Sequence, residues 1–491
     1  MSLRGTANLA SLTSFTDEAR MVLENLADLA SGLVSPTLRF GVTGLARAGK
    51  TVFITALVHN LIKGGRLPLL QAHSAGRIAS AGLQPQPSMD IARFQYEEHV
   101  RTLVEKRQWP QSTRAISELR LTVNYESASV WNRAFGAGKL NIDIVDYPGE
   151  WLLDLPLLAM GFGQWSRQAL ALSRLPNRSK LAQHWHGKLA LFDSKAGADE
   201  EVADTLAQSF KHYLAACRAD ENALSTLPPG RFLMPGDMEG SPALTFCPLE
   251  SGESMPKPGS LGAMMANRYE AYKAYVVRPF FREHFARLDR QIVLVDALQA
   301  INAGPAAVAD LETALTDILS CFKAGRAGLF SPLVGRRIDR IVFAATKADH
   351  LHHENHNRLE AILSRLVDNA AGRARFAGAK VEVIALAAVR ATREAVIKEA
   401  GGDLPVIVGT PLPGETIGGE TFDGKTETAV FPGDLPDDPS ELLRSGGKPP
   451  DLRFVRFQPP KLETTAEGLQ LSLPHIRLDR ALQFLIGDKL V

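Results

Sequence analysis

The sequence predicts an α/β fold: a mostly parallel sheet flanked by helices, with inserted helical and loop/β-rich subdomains. Three observations predict it. A glycine-rich loop links an apolar run, residues 38–43, to a helical stretch, residues 52–61. Continuous β-branched runs recur along the chain, as in strands that are buried on both faces of a parallel sheet. Long helical and Gly/Pro-rich stretches separate these runs, which indicates insertions between the core strands.

The predicted elements divide the chain into six segments. At 491 residues, the chain exceeds the usual size of one hydrophobic core. Residues 15–33 carry apolar side chains at helical spacing, which predicts an amphipathic helix. After the glycine-rich loop and its helix we expect a turn-rich stretch to about residue 90 and then a helix over residues 91–106. In chain order we expect an N-terminal helical segment (1–37), the first part of the core (38–150), a mainly helical insertion with a Pro/Gly-rich section (151–289), the second part of the core (290–400), a loop/β-rich insertion (401–473) and a C-terminal helix that packs on the core (474–491).

Composition argues against several classes of protein. The chain has 55 Lys+Arg and 54 Asp+Glu, so no overall basic field indicates a nucleic-acid partner. Its 3 cysteines form no C-x-x-C pair, which argues against a disulfide framework or a thiolate zinc site. The sequence has no signal-peptide pattern and no run of about 18 apolar residues. We expect a cytoplasmic protein; peripheral contact with the inner membrane stays open.

The glycine-rich loop matches a known phosphate-binding pattern. Residues 44–51 read Gly-Leu-Ala-Arg-Ala-Gly-Lys-Thr, which fits G-x-x-x-x-G-K-[ST]. In such a loop the backbone N–H groups surround a phosphate, the lysine reaches the β/γ-phosphates and the threonine ligates Mg²⁺. The following helix directs its positive end at the same anion. The predicted nucleotide-binding residues here are Gly44, Leu45, Ala46, Arg47, Ala48, Gly49, Lys50, Thr51 and Val52.

Two more motifs follow strand-like runs. Residues 146–149 form a D-x-x-G sequence, in which Asp146 orients Mg²⁺ through water and the Gly149 N–H bonds a γ-phosphate. Residues 346–349 read Thr-Lys-Ala-Asp. An Asp in that position accepts both N1–H and N2–H₂ of guanine, a donor pair that adenine lacks, so Asp349 predicts selection of a guanine nucleotide.

The other residues around the predicted base site have defined roles. Lys347 would lay its stem over the base plane. Thr346 stands where Asn is usual, and its shorter hydroxyl predicts a weaker clasp to the phosphate loop. Backbone N–H groups for the guanine carbonyl are expected from the loop after residues 380–386, formed by Ala387, Ala388 and Val389.

The order of these motifs resembles the Ras-like GTPase arrangement of the P-loop NTPases. More closely, the phosphate loop, Trp109-Pro110 with its nearby Thr113, Asp-Tyr-Pro-Gly-Glu at 146–150, Ala-Thr-Lys-Ala-Asp at 345–349 and Ala-Ala-Val-Arg-Ala-Thr at 387–392 are similar to the bacterial YcjX-like family. The resemblance spans residues 44–392. It implies a GTPase-like protein associated with stress responses, with GTP and GDP as substrate and product and Mg²⁺ as cofactor.

Against that arrangement, four residues are the catalytic candidates: Lys50, Thr113, Gly149 and Glu150. Thr113 is the best residue to close on Mg²⁺ and the γ-phosphate, although Thr102, Ser112 and Thr122 compete. The predicted metal-binding residues are therefore Thr51, Thr113 and Asp146.

Glu150 replaces the glutamine that positions water in many GTPases. A γ-phosphate repels a carboxylate unless Mg²⁺ or an arginine offsets it, which predicts slow hydrolysis. Alternatively, Glu150 only caps the next helix. Arg47 and Arg114 are close enough in sequence to supply charge, or are structural arginines.

Several alternatives stay open. The apolar run 151–160 is a surface for a protein effector or buried core. Histidines 350, 352, 353 and 356 are better explained by a polar helix start than by a metal site. An ATP-dependent phosphotransferase or ATPase and a catalytically silent nucleotide-dependent scaffold are the competing functions, and the sequence leaves the oligomeric state undetermined.

Overall fold

The structure is a computed structural model that describes residues 36–45, 47–111, 113–128, 138–219, 222–250, 256–321, 338–376, 378–399, 402–443, 452–462 and 472–491. The predicted N-terminal helix at 15–33, and Ala46 of the phosphate loop, lie outside these residues.

The described strands form a large mixed sheet in the order β2-β4-β5-β1-β6-β7-β8, with β3 paired to β4. Five adjacent strands, in the order β5, β1, β6, β7 and β8, run parallel to one another, whereas β4 is antiparallel to both β2 and β5. Their bounds are β1 Thr37–Gly44, β2 Ile78–Gln84, β3 Ala92–Arg93, β4 Ser117–Tyr125, β5 Gly138–Asp146, β6 Arg290–Val295, β7 Arg340–Ala345 and β8 Lys380–Ala385.

The helices lie between and after these strands. They are α1 Lys50–Ile62, α2 Gln71–Ser74, α3 Tyr96–Val104, α4 Phe162–Ser173, α5 Pro176–Leu189, α6 Glu200–Arg218, α7 Leu261–Tyr272, α8 Arg278–Glu283, α9 Ala297–Ala303, α10 Pro305–Ser320, α11 His356–Phe376 and α12 Leu478–Ile486. A 3₁₀ segment spans Gly149–Ala159, and a π-helical turn, Lys273–Val277, joins α7 to α8. Within the described part of the chain, no helix combines the length and apolar character needed to cross a bilayer.

The parallel strands are apolar because helices cover both faces of the sheet. All six residues of β6 are buried, and five of the six in β7 are. One face packs against α1 and α12, where Phe53, Leu57 and Leu482 are almost fully buried. The other face packs against α10 and α11 through side chains such as Leu311 and Leu363. The predicted α/β fold with a mostly parallel sheet is confirmed.

Two local predictions were wrong. A helix was expected over residues 91–106, but the chain forms β3 and then α3, which begins at Tyr96. The stretch before residue 90 was predicted to be turn-rich, yet it contains β2. This strand has only intermediate and exposed residues, so it lacks the apolar alternation that predicts a half-buried strand.

A second hydrophobic core joins α4 to α8 with the 3₁₀ segment. It is built on aromatic rings: the Trp165 and Tyr269 rings stack at 5.0 Å, and the Trp185 and Tyr213 rings at 5.2 Å. Trp151 and Phe280 meet edge to face at 5.6 Å. The segment after Glu150 is therefore packed against the helical insertion.

The later insertion contains a small antiparallel sheet of β9 Arg393–Glu399, β10 Gly402–Gly409 and β13 Thr428–Val430, and a hairpin of β11 Thr416–Ile417 and β12 Glu420–Thr421. We call this insertion the β module, and it includes residues 452–462. It contacts the core through Phe457. The Trp109 indole N–H donates to the Phe457 carbonyl at 2.6 Å, and the Arg107 Nε donates to the Pro459 carbonyl at 3.2 Å. The stretch that precedes Thr113 is thereby attached to the β module.

Candidate functional site

The phosphate loop connects β1 to the start of α1. Gly49, the residue before α1, has φ 84°, and Arg47 has φ 61°. A side chain at Gly44, which has φ 152°, would approach the Leu294 carbonyl oxygen of β6 to 2.5 Å. Lys50 Nζ donates to the carbonyls of Gly44 at 3.1 Å and Leu45 at 3.3 Å. The loop is curled around the lysine ammonium at the helix N-terminus, where an anion is favoured.

Three predicted metal-binding residues lie together beside the loop. The hydroxyls of Thr51 and Thr113 are 3.1 Å apart, and Thr113 donates to Asp146 Oδ2 at 2.7 Å. The other carboxylate oxygen, Asp146 Oδ1, is buried without a hydrogen-bond partner among the described residues. Mg²⁺ prefers oxygen ligands of this kind. One carboxylate with an unused oxygen and two hydroxyls therefore fit this ion, and the structure brings Thr113 rather than Thr102 or Thr122 into the cluster.

Gly149 lies directly against the phosphate loop. A side chain at this position would overlap the Gly44 carbonyl oxygen and lie 2.8 Å from Lys50 Nζ. Gly230, in the helical insertion, approaches the next residue just as closely, because a side chain there would overlap the Glu150 carbonyl. Two consecutive residues, Gly149 and Glu150, are thus pressed between the loop on one side and the insertion on the other.

Glu150 is only 4% exposed and forms an ion pair with Arg218, the last residue of α6. The local prediction did not include this partner, because Arg218 is distant in sequence. Glu150 is the second residue of the 3₁₀ segment. Its carboxylate is thus neutralised by an arginine of the helical insertion.

The apolar run after Glu150 is buried rather than presented to solvent. Trp151 is 3% exposed, lies under the Arg231 guanidinium at 3.2 Å from the ring centroid, and donates from its indole to the Met234 carbonyl at 2.9 Å. Asp154 accepts from the Gly230 N–H at 2.7 Å and from the Tyr272 hydroxyl at 2.6 Å. Burial raises the pKa of Asp154 to about 6. In this structure an effector could not reach these side chains.

Asp349 and the phosphate loop line one cavity, and we call these two parts of it the base end and the phosphate end. Asp349 is 4% exposed, and its Oδ2 accepts from the Ala391 N–H at 2.8 Å. Burial raises the pKa of Asp349 to about 6. Lys347 has φ 62° and pairs its ammonium with Asp296, while the Thr346 hydroxyl donates to the Val295 carbonyl at 3.3 Å. The Thr346 side chain is thus bound to β6 and not to the phosphate loop.

The loop after β8 contributes less than its sequence suggested. The Ala387 N–H donates to the Ile476 carbonyl at 3.1 Å, and the Ile476 N–H donates back at 2.8 Å. That N–H is therefore engaged by the chain itself. Ala388 and Val389 line the cavity, so a backbone donor to a base carbonyl would come from one of these two residues.

One cavity of about 270 Å³ contains both ends of the site. Motif analysis did not assign several of its lining residues, which come from the β module and from the stretch before Thr113: Trp109, Pro110, Gln111, Leu412, Arg456 and Phe457. The Glu415 carboxylate accepts hydrogen bonds from Arg456 Nε at 2.7 Å and from the Arg456 backbone N–H at 3.0 Å. No motif marks these residues, although the Trp-Pro pair at 109–110 was itself a signal. Arg47 lines the cavity, whereas exposed Arg114 does not.

Burial sets the electrostatics of the site. It lowers the pKa of Lys50, which the carboxylates of Glu150 and Asp146 partly offset. It raises the pKa of Asp146 to about 6, although Lys50 and the Thr113 hydroxyl favour the ionised form. His350 also lines the cavity, between the rings of Phe454 and Phe457, and burial lowers its pKa to about 3. His350 is therefore neutral at physiological pH.

The other histidines form a separate cluster. His352, His353 and Glu354 have potential ligand atoms within 4.8 Å of one another. His353 Nδ1 is already 2.7 Å from Glu394 Oε2. This ring–carboxylate contact explains the position of His353 without a metal.

The sheet order, the phosphate loop between β1 and α1 and the Asp146 cluster define the class: the protein has the P-loop NTPase fold. Within this class, the YcjX-like family model (DUF463) matches residues 38–490, and the chain belongs to that family. Among its relatives is "Ras-like GTPase YcjX" of Escherichia coli strain K12, which is 38% identical over 92% of this chain and 96% of the relative. A protein of the same name from Shewanella oneidensis MR-1 is 34% identical over 98% and 99%.

Proposed function

We propose that the chain binds GTP with Mg²⁺ in this cavity, hydrolyses it slowly to GDP and changes its contacts with the nucleotide state. This proposal rests mainly on one observation: Lys50, Thr51 and Thr113 line the same cavity of about 270 Å³ as Asp349. One end suits a triphosphate and the other a guanine. Both relatives are named as Ras-like GTPases, which supports this proposal.

At the phosphate end, Lys50 and the loop N–H groups bind the β/γ-phosphates, and the Gly149 N–H bonds the γ-phosphate. Thr51, Thr113 and Asp146 hold Mg²⁺, which when bound neutralises charge on the phosphate oxygens. Glu150 cannot orient the attacking water as a neutral amide does, and its ion pair with Arg218 directs its charge elsewhere. Hydrolysis is therefore slow.

At the base end, ionised Asp349 accepts two N–H donors from guanine. An adenine supplies neither donor, so the buried carboxylate would keep only its bond from the chain itself at the Ala391 N–H, a loss that costs about 1–3 kcal/mol. This cost is the basis of the proposed preference for GTP over ATP.

The switch follows from the contacts of two residues. Thr113 joins the metal cluster, and Gly149 touches the loop, so a γ-phosphate would engage both segments and hydrolysis would release them. Crystal structures with GDP and with a non-hydrolysable GTP analogue test this proposal. We expect differences at residues 107–116 and 149–160; if the two structures superimpose there, the switch proposal is wrong.

The first experiment measures binding of fluorescent GTP and GDP with Mg²⁺, competed by ATP. We expect native protein to prefer GTP and Asp349→Asn to lose most of this preference. Asp204→Asn, at an exposed position of α6, is the matched control and should behave as native.

Two other outcomes would favour the competing functions. Equal competition by ATP in the native protein and in Asp349→Asn would favour an ATP-dependent phosphotransferase or ATPase. Tight GTP binding with hydrolysis no faster in native protein than in Lys50→Ala would favour a catalytically silent scaffold.

The cellular setting is proposed from the family resemblance. We place the switch in the cytoplasm, in a bacterial stress response, with contacts to a protein effector that form in one nucleotide state. Fractionation of cells under heat stress, with native protein and Lys50→Ala, measures whether the protein is recruited to the inner membrane. Identical soluble distributions would limit its action to the cytoplasm.

A further inference from the structure

The ion pair between Glu150 and Arg218 lies beside the phosphate loop. Glu150 directly follows Gly149, whose backbone touches the loop, and Arg218 ends α6 of the helical insertion. The Arg218 side chain is 22% exposed, and its Nε is buried without a hydrogen-bond partner among the described residues. The insertion therefore places a guanidinium with an unused N–H next to the second nucleotide motif.

A small cavity of about 60 Å³ shows how near this guanidinium lies. Its walls include Leu45 and Arg47 of the loop together with Glu150 and Arg218. Arg47 and Glu150 also line the nucleotide cavity. Arg218 lines this small cavity but not the nucleotide cavity, so its guanidinium must turn past these two side chains to reach the phosphate end.

The charges of the site agree with this position. Arg218 lowers the pKa of both Lys50 and Arg47, which places its positive charge within electrostatic reach of the loop. The other arginines are less suited. Arg456 is bonded to Glu415, a residue of the β module that belongs to no nucleotide motif, and exposed Arg114 lines neither cavity. Arg47 belongs to the loop itself.

We propose that Arg218 is a catalytic residue supplied by the chain's own helical insertion, and that Glu150 is its positioning residue. This inference rests on the proposed GTP hydrolysis. In the reaction, water adds to the γ-phosphorus, and the bond from phosphorus to the β,γ-bridging oxygen breaks with its electron pair remaining on GDP. Both protons of the water leave with the inorganic phosphate, which forms as dihydrogen phosphate. Arg218 transfers no proton; its guanidinium stabilises the charge that develops on the bridging and γ-oxygens.

This role explains why a carboxylate follows the D-x-x-G motif. Alone, Glu150 would repel the γ-phosphate, but a carboxylate bound to a guanidinium is neutralised and fixes the planar group. As the γ-phosphate and Glu150 then compete for the same guanidinium, only part of its charge is available, which is consistent with slow turnover.

The test measures single-turnover hydrolysis and GTP affinity in native protein, Arg218→Ala and Arg218→Lys. We expect Arg218→Ala to lower the hydrolysis rate about 100-fold while GTP affinity changes less than about threefold. Arg218→Lys should recover little of the rate, because an ammonium lacks the planar pair of donors. The matched control is Arg174→Ala, which breaks an exposed ion pair with Glu250 in the same insertion and should keep the native rate.

A second readout is independent of turnover. GDP with aluminium fluoride mimics the transferring phosphoryl group, so native protein and Arg174→Ala should retain this complex and Arg218→Ala should not. If Arg218→Ala does not fold, as shown by its thermal melting, Arg218→Lys decides the result with the same two measurements.

The positioning role of Glu150 is tested by a double-mutant cycle. Glu150→Ala, which removes the carboxylate without adding a water-positioning amide, should slow hydrolysis in the native background and have little further effect in Arg218→Ala. Equal slowing in both backgrounds would show that Glu150 acts without Arg218.

The failures are distinguishable. If Arg218→Ala binds GTP, hydrolyses it at near the native rate and traps the aluminium fluoride complex, this inference is wrong and the proposed function stands. If native protein does not bind GTP, the proposed function itself fails.

Discussion

The two ends of the nucleotide cavity are built differently. At the phosphate end, backbones touch: neither Gly44 nor Gly149 has room for a side chain. At the base end, side chains make the contacts, with Asp349 held by the Ala391 N–H and Trp109 bonded to the Phe457 carbonyl. The comparison teaches that steric exclusion adds to hydrogen bonds at the phosphate end, whereas the base end depends on individual hydrogen bonds. Mutations should therefore have larger effects at the first than at the second.

The largest effect is expected for Gly149→Ala. Its methyl group would overlap the Gly44 carbonyl oxygen, so the Gly149 N–H must move. A displacement of about 1 Å can reduce a rate about 100-fold, and we expect this loss in single-turnover GTP hydrolysis. Gly187→Ala is the control, because a methyl group at that position in α5 meets nothing within 4 Å. A native rate in Gly149→Ala would show that the contact yields easily.

The next effect tests the hydroxyl–carboxylate cluster at the phosphate end. Thr113→Val removes the bond to Asp146 but preserves shape. Hydrogen bonds to charged groups contribute about 1.5–3 kcal/mol, so the Mg²⁺ concentration that half-saturates GTP binding should rise about 20-fold. Thr122→Val, which removes a hydroxyl bonded to Asn141 outside the site, should leave that concentration unchanged. Equal values for the two variants would place Thr113 outside the metal site.

A smaller, pH-dependent effect is expected at the base end. The pKa of Asp349 is about 6, above the ordinary 3.8; its protonated form thus favours the fold below pH 3.8, and this stabilisation is lost as pH rises through 6. Guanine needs the ionised form. The preference for GTP over ATP should therefore fall about fivefold from pH 6 to pH 5. This ratio cancels the titration of Asp146, which both nucleotides share.

Competition binding at several pH values measures the ratio, with Asp349→Asn as the control that should show no pH dependence. A native ratio that stays constant down to pH 5 would remove Asp349 from base recognition.

The smallest effect concerns the attachment of the β module. Trp109→Phe removes the bond of 2.6 Å to the Phe457 carbonyl but keeps an aromatic ring. One such bond contributes about 1 kcal/mol, so GTP affinity should weaken about fivefold or less. Isothermal titration measures this change. A loss as large as that of Gly149→Ala would contradict the proposed difference between the two ends.

The sequence predicted one end of the site better than the other. Lys50, Thr51 and Asp146 lie in short motifs whose spacing fixes their geometry, and Thr113 was identified from its position between two motifs. Arg456 and Phe457 line the cavity from the β module, and Arg218 lies beside the phosphate loop at the end of α6; tertiary packing alone brings them there. Likewise, the α/β class was predictable from apolar runs, whereas β2 was not, because its residues lack a buried face.

Hydrogen bonds outside a motif also altered predicted roles. The sequence places Ala387 in the base-reading loop, but its N–H is bonded to Ile476, which lies 89 positions later in the chain. No local pattern indicates such a partner. All three residues of the predicted loop, Ala387, Ala388 and Val389, nevertheless line the cavity.

The opposed close approaches at Gly149 and Glu150 have a consequence for timing. A segment in contact with the loop on one side and with Gly230 on the other cannot shift away from the loop without displacing the insertion. The fluorescence of Trp151 and that of a dye on α6 should therefore change after nucleotide mixing with one shared rate constant. A single activation barrier would then set the delay between binding of the γ-phosphate and movement of the surface formed by α6.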